Sequence, residues 1–369
     1  SIFSRSSSSP NEYGEPICAP PLYNSRMEAK LKHFTATAAF LITVLLLVGC
    51  AEENADTAFQ VYLERLGRTL DLGGQTRVPH ESVARPPRPG KLRLKIPADT
   101  LNTLDFMDLR GCELQVTIGK TNSSLGRLAR DSQKLLLALE FLHLAPACID
   151  YLTAAGELEL AKKLDQARRQ KLELLPSLIF NATLASEEFQ AFWRPAPVSK
   201  EYPANTSSAV ITALEHINQA SARWLSGNYL ADNQSFELQL SEVSGGDGGQ
   251  LWRALLHQGQ WLDSANAKLE QRGPLCTATR RPQSAEILPN VVRKYFIDGI
   301  QPRAAMLGRR YHQLLPPLFA LEHQLRIKLP ANYLGWSESR NSALKALASK
   351  PKQHVSRLQQ TLANCRKDS

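Results

Sequence analysis

Glu140 and His143 stand three residues apart in the run EFLH. On a helix this spacing puts a carboxylate and an imidazole on one face, the unit from which carboxylate-bridged di-iron bundles are built. Such a centre needs a second ExxH pair and two further glutamates on facing helices, and the chain has no second ExxH. The pair therefore reads as an ordinary helix histidine beside a carboxylate. Ser342 and Lys345, in SALK, match the nucleophile and lysine of penicillin-binding enzymes, which also need S-x-N and then K-T-G further along. Here SAN (264–266) comes before the serine and no K-T-G occurs, so chance is the better reading. SGGDGG (244–249) lacks the lysine of a phosphate loop and reads as a flexible turn. Asn122 and Asn181 fit the Asn-x-Ser/Thr pattern, but the TNSSLG asparagine suits a helix cap or tight turn better. An unfamiliar hydrolase would have Glu140, His143, Asn122 and Ser124 as first suspects, and they would have to converge on one pocket.

The other histidines past residue 50, at 80, 216, 257, 312, 323 and 354, are scattered, and neither CxxC nor HxxxH occurs. No metal and no cofactor is expected. The chain carries 44 Lys/Arg against 35 Asp/Glu, a formal charge of +9. Residues 1–49 hold four and three of these, which leaves +8 on the rest. A mildly basic surface favours anionic neighbours, such as an envelope component or lipid headgroups, without specifying a fold. Nothing points to nucleic acid.

The most informative stretch is residues 27–50. Lys30 and Lys32 precede an apolar run from Phe34 to Val48, and Gly49 leads into Cys50, after which the chain turns polar. This is the layout of a secretory signal. The run is shorter than the ~20 apolar residues that a membrane-spanning helix needs. Leu47, Val48, Gly49 and Cys50 resemble a bacterial lipobox. That resemblance implies a signal peptide over 27–49, acylation of the Cys50 sulfur, and a mature chain beginning at Cys50. Ala51, where an aspartate would signal retention, implies the periplasmic leaflet of the outer membrane. Met27 is then expected to be the initiator, and 1–26, rich in Ser and Pro, a disordered or non-native upstream extension.

Past Cys50 the chain has Cys112, Cys148, Cys276 and Cys365. An even number in an oxidising compartment suggests two disulfides, with three possible connectivities. Sequence proximity favours Cys112–Cys148 and Cys276–Cys365.

The elements that would position all these residues read as helices. Phe59, Tyr62, Leu63, Leu66 and Leu70 share a face, with Gly73 and Gly74 as the stop. Residues 72–91 form a Pro-rich linker or arm, and Leu92, Leu94 and Ile96 alternate as one short strand would. SQKLLLALEFLHLAPAC is apolar nearly all round, hence a central helix, broken by Pro146. The clearest stripe is Ile300, Ala304, Leu307, Tyr311, Leu314, Leu318, Leu321 and Leu325, a bundle seam with a kink expected at Pro316–Pro317. The expected fold is all-α, an irregular multi-helix bundle with at most one short β element. The mature body spans 50–369, with subdomains 50–193 and 207–369 divided by the Pro-bearing stretch 194–206.

Several phrases resemble one uncharacterised proteobacterial lipoprotein family, the domain of unknown function numbered 3080. They are YLERLGRTLD, CEL followed by NSSLGRLARDSQKLLLALEFLHLAPAC, NATLASEEFQAF, GGQLWRALLHQGQWLDSANAKLEQR and IQPRAAMLGRRYHQLLPPL. The resemblance implies no established activity. It tips CELQVTIGK, which alternates like a strand, toward a helix. The expectation for function is a membrane-anchored periplasmic lipoprotein with a binding or structural role, held to the bilayer through acylated Cys50. The alternatives are an envelope hydrolase and a hydrophobic-ligand carrier.

Overall fold

The computed structural model describes residues 55–73, 82–97, 109–195, 201–277 and 279–365. All belong to one compact unit, Glu53–Ser369. The upstream extension, the signal with Leu47, Val48 and Gly49, and Cys50 lie outside the described residues.

Every regular element among the described residues is helical. The helices are α1 (Ala55–Thr69), α2 (Leu114–Asn122), α3 (Asp131–Ala154), α4 (Leu158–Ala182), α5 (Glu187–Phe192) and α6 (Ala209–Leu225). They continue with α7 (Asn233–Ser244), α8 (Gly248–Arg272), α9 (Ser284–Val291), α10 (Gln301–Gln324) and α11 (Ala331–Leu362). Single turns at Pro89–Leu92 and Ser124–Arg127 and a 3-10 turn at Arg326–Lys328 join them. The apolar stripes are the buried faces: Phe59, Tyr62, Leu63 and Leu66 of α1 and Leu70 just past its end are buried, as is every position of the long seam except half-buried Tyr311.

Three local expectations need correction. Leu92 to Ile96 form no strand. The N–H and C=O of Leu94 are both taken by the side-chain amide of Asn181, at 2.8 and 2.9 Å. One amide, a donor and an acceptor together, does for the extended segment what a neighbouring strand would. Pro146 does not end its helix. It removes the hydrogen bond to the Leu142 carbonyl, but Ala145 and Cys148 beside it are buried, so packing keeps α3 continuous to Ala154. Helix α10 also contains two prolines, Pro316 and Pro317, and continues through them to Gln324. Finally, α1 stops at Thr69, short of the glycines, where Asp71 takes a left-handed φ of 58° and the Leu72 N–H reaches the Gly67 carbonyl.

Three cores hold the body together. The largest gathers the N-terminal part of α3, the C-terminal part of α4, α5 to α7, the start of α8, α10 and α11. It draws on both sides of 194–206 and includes Tyr202 from within that stretch, so the stretch does not separate two cores. A second core packs α1 against the end of α8 and α9, and a third packs α2 between the far ends of α3 and α4. Helix α3 is long and apolar enough to cross a membrane, but nine of its residues are buried within the fold. Each smaller core is closed by a disulfide: Cys112–Cys148 in the third and Cys276–Cys365 in the second. This is the pairing that sequence proximity favours.

Candidate functional site

The residues with catalytic spacing do not converge. Glu140 is half-buried and pairs with Lys120 at 3.1 Å, while His143 is exposed. Asn122 gives its backbone carbonyl to Arg127, and Ser123, not Asn122, caps the turn by accepting from the Gly126 N–H at 3.0 Å. Ser124 is exposed, as are Ser342 and Lys345 on α11. Ser264 donates to the Gln260 carbonyl of its own helix. Among the described residues no group of three or more His, Cys, Asp or Glu is placed to hold a metal ion.

The interior holds other polar centres. The first is built on SGGDGG, which is no flexible turn. Asp247 is buried just before α8, and its carboxylate accepts from Arg310 Nε at 3.0 Å, from Arg310 Nη2, and from the Tyr202 hydroxyl. The glycines around it allow this approach. A Cβ on Gly246 would lie 2.6 Å from the Phe192 ring and 2.7 Å from Val210, and Gly248 and Gly249 are as tightly met by Phe192 and Trp193. Burial, then the hydrogen bond to Asp247, raises the Tyr202 phenol far above its ordinary pKa, so it stays a donor.

The second centre is Arg340, which is fully buried. Its Nη2 donates to both carboxylate oxygens of Glu322 at 2.7 Å, and the Tyr333 hydroxyl donates to the same carboxylate at 2.7 Å. The guanidinium lies 4.7 Å from the Trp193 ring centre and 4.6 Å from that of Trp336, a double cation–π contact. Neither centre sets a nucleophile beside a base.

The third joins α1, α8 and α11. His354 is fully buried, with Nε2 2.7 Å from the Tyr62 hydroxyl and Nδ1 2.7 Å from Asn266 Oδ1. Burial raises the Tyr62 pKa, so the phenol is the donor to Nε2 and Nδ1–H donates to Asn266. Asn266 reaches the wall of a polar surface groove of about 630 Å³ between α8 and α11, lined also by Asp263, Glu270, Ser356 and Arg357.

The sequence profile of a family described as "Protein of unknown function (DUF3080)" matches residues 59–368. The chain belongs to this family. No curated protein and no solved structure matches it. The DUF3080 span takes in all three polar centres and both disulfides, so family membership concerns the whole packed body.

None of these centres was proposed from the sequence, though two left a trace there. Arg310 lies between Leu307 and Leu314 on the α10 seam, and Arg340 between Tyr333 and Leu344 on α11. A charge on an apolar stripe needs a buried partner. Asp247 likewise precedes the α8 stripe in the position of a cap, but its carboxylate turns to Arg310 and makes no cap hydrogen bond.

His354 gives the DUF3080 fold a defined pH response. Burial lowers its pKa from 6.5 to about 4. The unfolded chain therefore binds the proton first as pH falls, and stability is complete above pH 6.5 and lost toward pH 4. The loss is expected to approach about 3 kcal/mol, since a tenfold change in proton affinity is worth 1.36 kcal/mol. Urea titrations of wild type and His354→Gln should show this excess acid sensitivity only in wild type. Parallel curves would refute the assignment.

Proposed function

We propose that the chain is a lipid-anchored envelope protein. Cys50 is acylated after removal of residues 27–49, and the helical body works as a binding or structural module in the periplasm, facing the inner leaflet of the outer membrane. The observation that carries this reading is the run from Lys30 to Cys50: a basic entry, an apolar stretch and LVGC. Two closed disulfides are consistent with it, because such bonds persist in oxidising compartments and are rare in the cytosol. The polar interior also supports a module over an enzyme, since its buried charges are matched to one another inside the fold. A single acyl chain binds a membrane only reversibly. The two or three chains carried by lipoproteins of this kind make lasting attachment.

The test is direct. Wild type grown with an alkyne fatty acid should incorporate the label and sediment with membranes. Cys50→Ser should do neither, and its body should be released by osmotic shock. Label retained in Cys50→Ser would overturn the anchor. A body found only in the cytosol, with its four body cysteines reduced, would overturn the compartment.

A further inference from the structure

One end of the body combines exposed apolar tips with exposed cations. Helices α3 and α4 form a hairpin joined by a short turn, so the start of α3 and the end of α4 lie together. The extended segment 93–97 is fixed there at two points: Arg93 pairs with Asp131 at 2.6 Å and Leu94 with Asn181. The 3-10 turn Arg326–Lys328 comes to the same end. Asn332, just past it, donates to the Lys91 carbonyl at 3.0 Å, and Phe180 of α4 packs edge-on against Tyr333.

Three large apolar side chains stand out from this end: Leu125 at 85%, Leu128 at 86% and Ile327 at 94% exposure. Scattered single exposed residues need no explanation. These three belong to turns that adjoin this end, and each has a cation within two residues along the chain. Arg127 lies between the leucines and Arg130 follows them, Arg326 and Lys328 flank the isoleucine, and Lys91 and Lys95 lie on and just before the extended segment. All six are exposed. Arg326 has Glu338 at 3.5 Å, whereas no carboxylate among the described residues pairs with the other five. The alternation of KLRLK explains the arrangement on the segment. Leu92 is buried and Leu94 half-buried, which turns Lys91, Arg93 and Lys95 outward.

We propose that this end of the body docks onto a bilayer surface rich in anionic phospholipid headgroups, with Leu125, Leu128 and Ile327 entering the headgroup layer and the surrounding cations meeting phosphates. An acidic protein would satisfy the charges. It would not account as well for three nearly naked apolar tips, each with a cation within two residues along the chain, which is the distribution expected where apolar side chains enter an interface and basic ones remain at the headgroups. The proposal extends the anchored reading from Cys50 to the body. Its test uses a chain that cannot be acylated, so the two can fail separately.

Full-length Cys50→Ser is mixed with phosphatidylcholine vesicles, or with vesicles of equimolar phosphatidylcholine and phosphatidylglycerol, and sedimented. Any contribution from residues 34–48 is common to all chains compared. Partition should favour the anionic vesicles and fall in high salt. Adding Lys91→Gln, Arg127→Gln, Arg130→Gln and Lys328→Gln should lower it at least about tenfold, each cation near such a surface giving roughly a fivefold effect. These side chains are exposed, so an unchanged circular dichroism spectrum will confirm folding. Tryptophan at position 128 (Leu128→Trp) should be quenched by brominated acyl chains in anionic vesicles only. Equal partition onto both vesicles, full binding by the quadruple variant, or no added quenching at position 128 would overturn the proposal. So would capture of an acidic protein by a chain that ignores the vesicles.

Discussion

Arg340→Met is expected to lower the free energy of unfolding by about 4 kcal/mol, in the range for breaking one side of a buried ion pair. The magnitude follows from what remains. Glu322 is 7% exposed, and without Nη2 its carboxylate keeps only the Tyr333 hydroxyl. Trp193 and Trp336 lose the planar cation between them, although methionine fills part of its volume. The control separates charge from packing. Replacing both partners, Arg340→Met with Glu322→Leu, removes the stranded carboxylate and should restore part of the loss, the remainder being the Tyr333 hydroxyl left without its acceptor. Denaturant midpoints of the single and double variants decide it. A single variant within about 1 kcal/mol of wild type would show that the Glu322 carboxylate is not left stranded when Arg340 is lost.

That pair marks where the sequence was readable and where it was not. The helix stripes were legible because burial imposes a period near 3.6 on each element separately, and Phe59 to Leu70 or Ile300 to Leu325 need no knowledge of their neighbours. The disulfide pairing was legible because few connectivities exist. The polar centres were hidden for the opposite reason. Asp247 and Arg310 are 63 residues apart, and Tyr62 and His354 are 292 apart. No local period links them. SGGDGG showed its glycines, which suggested a free turn, yet glycine also admits close approach, and here the Phe192 ring and the Trp193 backbone occupy the space that a side chain would need. Leu92 to Ile96 failed more narrowly. Leu92 and Leu94 do face the core, although Ile96 is exposed, but the backbone partner is an amide from α4, which no strand pattern could announce.

Removing the Cys276–Cys365 disulfide is expected to cost about 4.5 kcal/mol, and removing Cys112–Cys148 about 4 kcal/mol, from the loop entropy regained by the unfolded chain. The difference follows from the sequence separations, 89 and 36 residues. Structure sharpens the first figure. The longer bridge ties the segment after α8 to the end of α11, where the Leu275 N–H to Thr361 carbonyl hydrogen bond, at 3.0 Å, also joins the two backbones. Paired Cys→Ala variants are the proper comparison, since a serine hydroxyl at Cys276, 2% exposed, would be buried without a partner. Together the two losses approach the 5–15 kcal/mol by which a typical domain is stable. The body should therefore be close to unfolded once both bridges are open, and dithiothreitol should move the denaturant midpoint of wild type to that of the quadruple alanine variant. This connects stability to compartment. A fold that needs both bridges persists where thiols are oxidised, and residues 27–50 would send it to such a place. If the reduced protein unfolds at the same denaturant concentration as the oxidised one, the bridges contribute nothing, and the physical support they give to an envelope address goes with them.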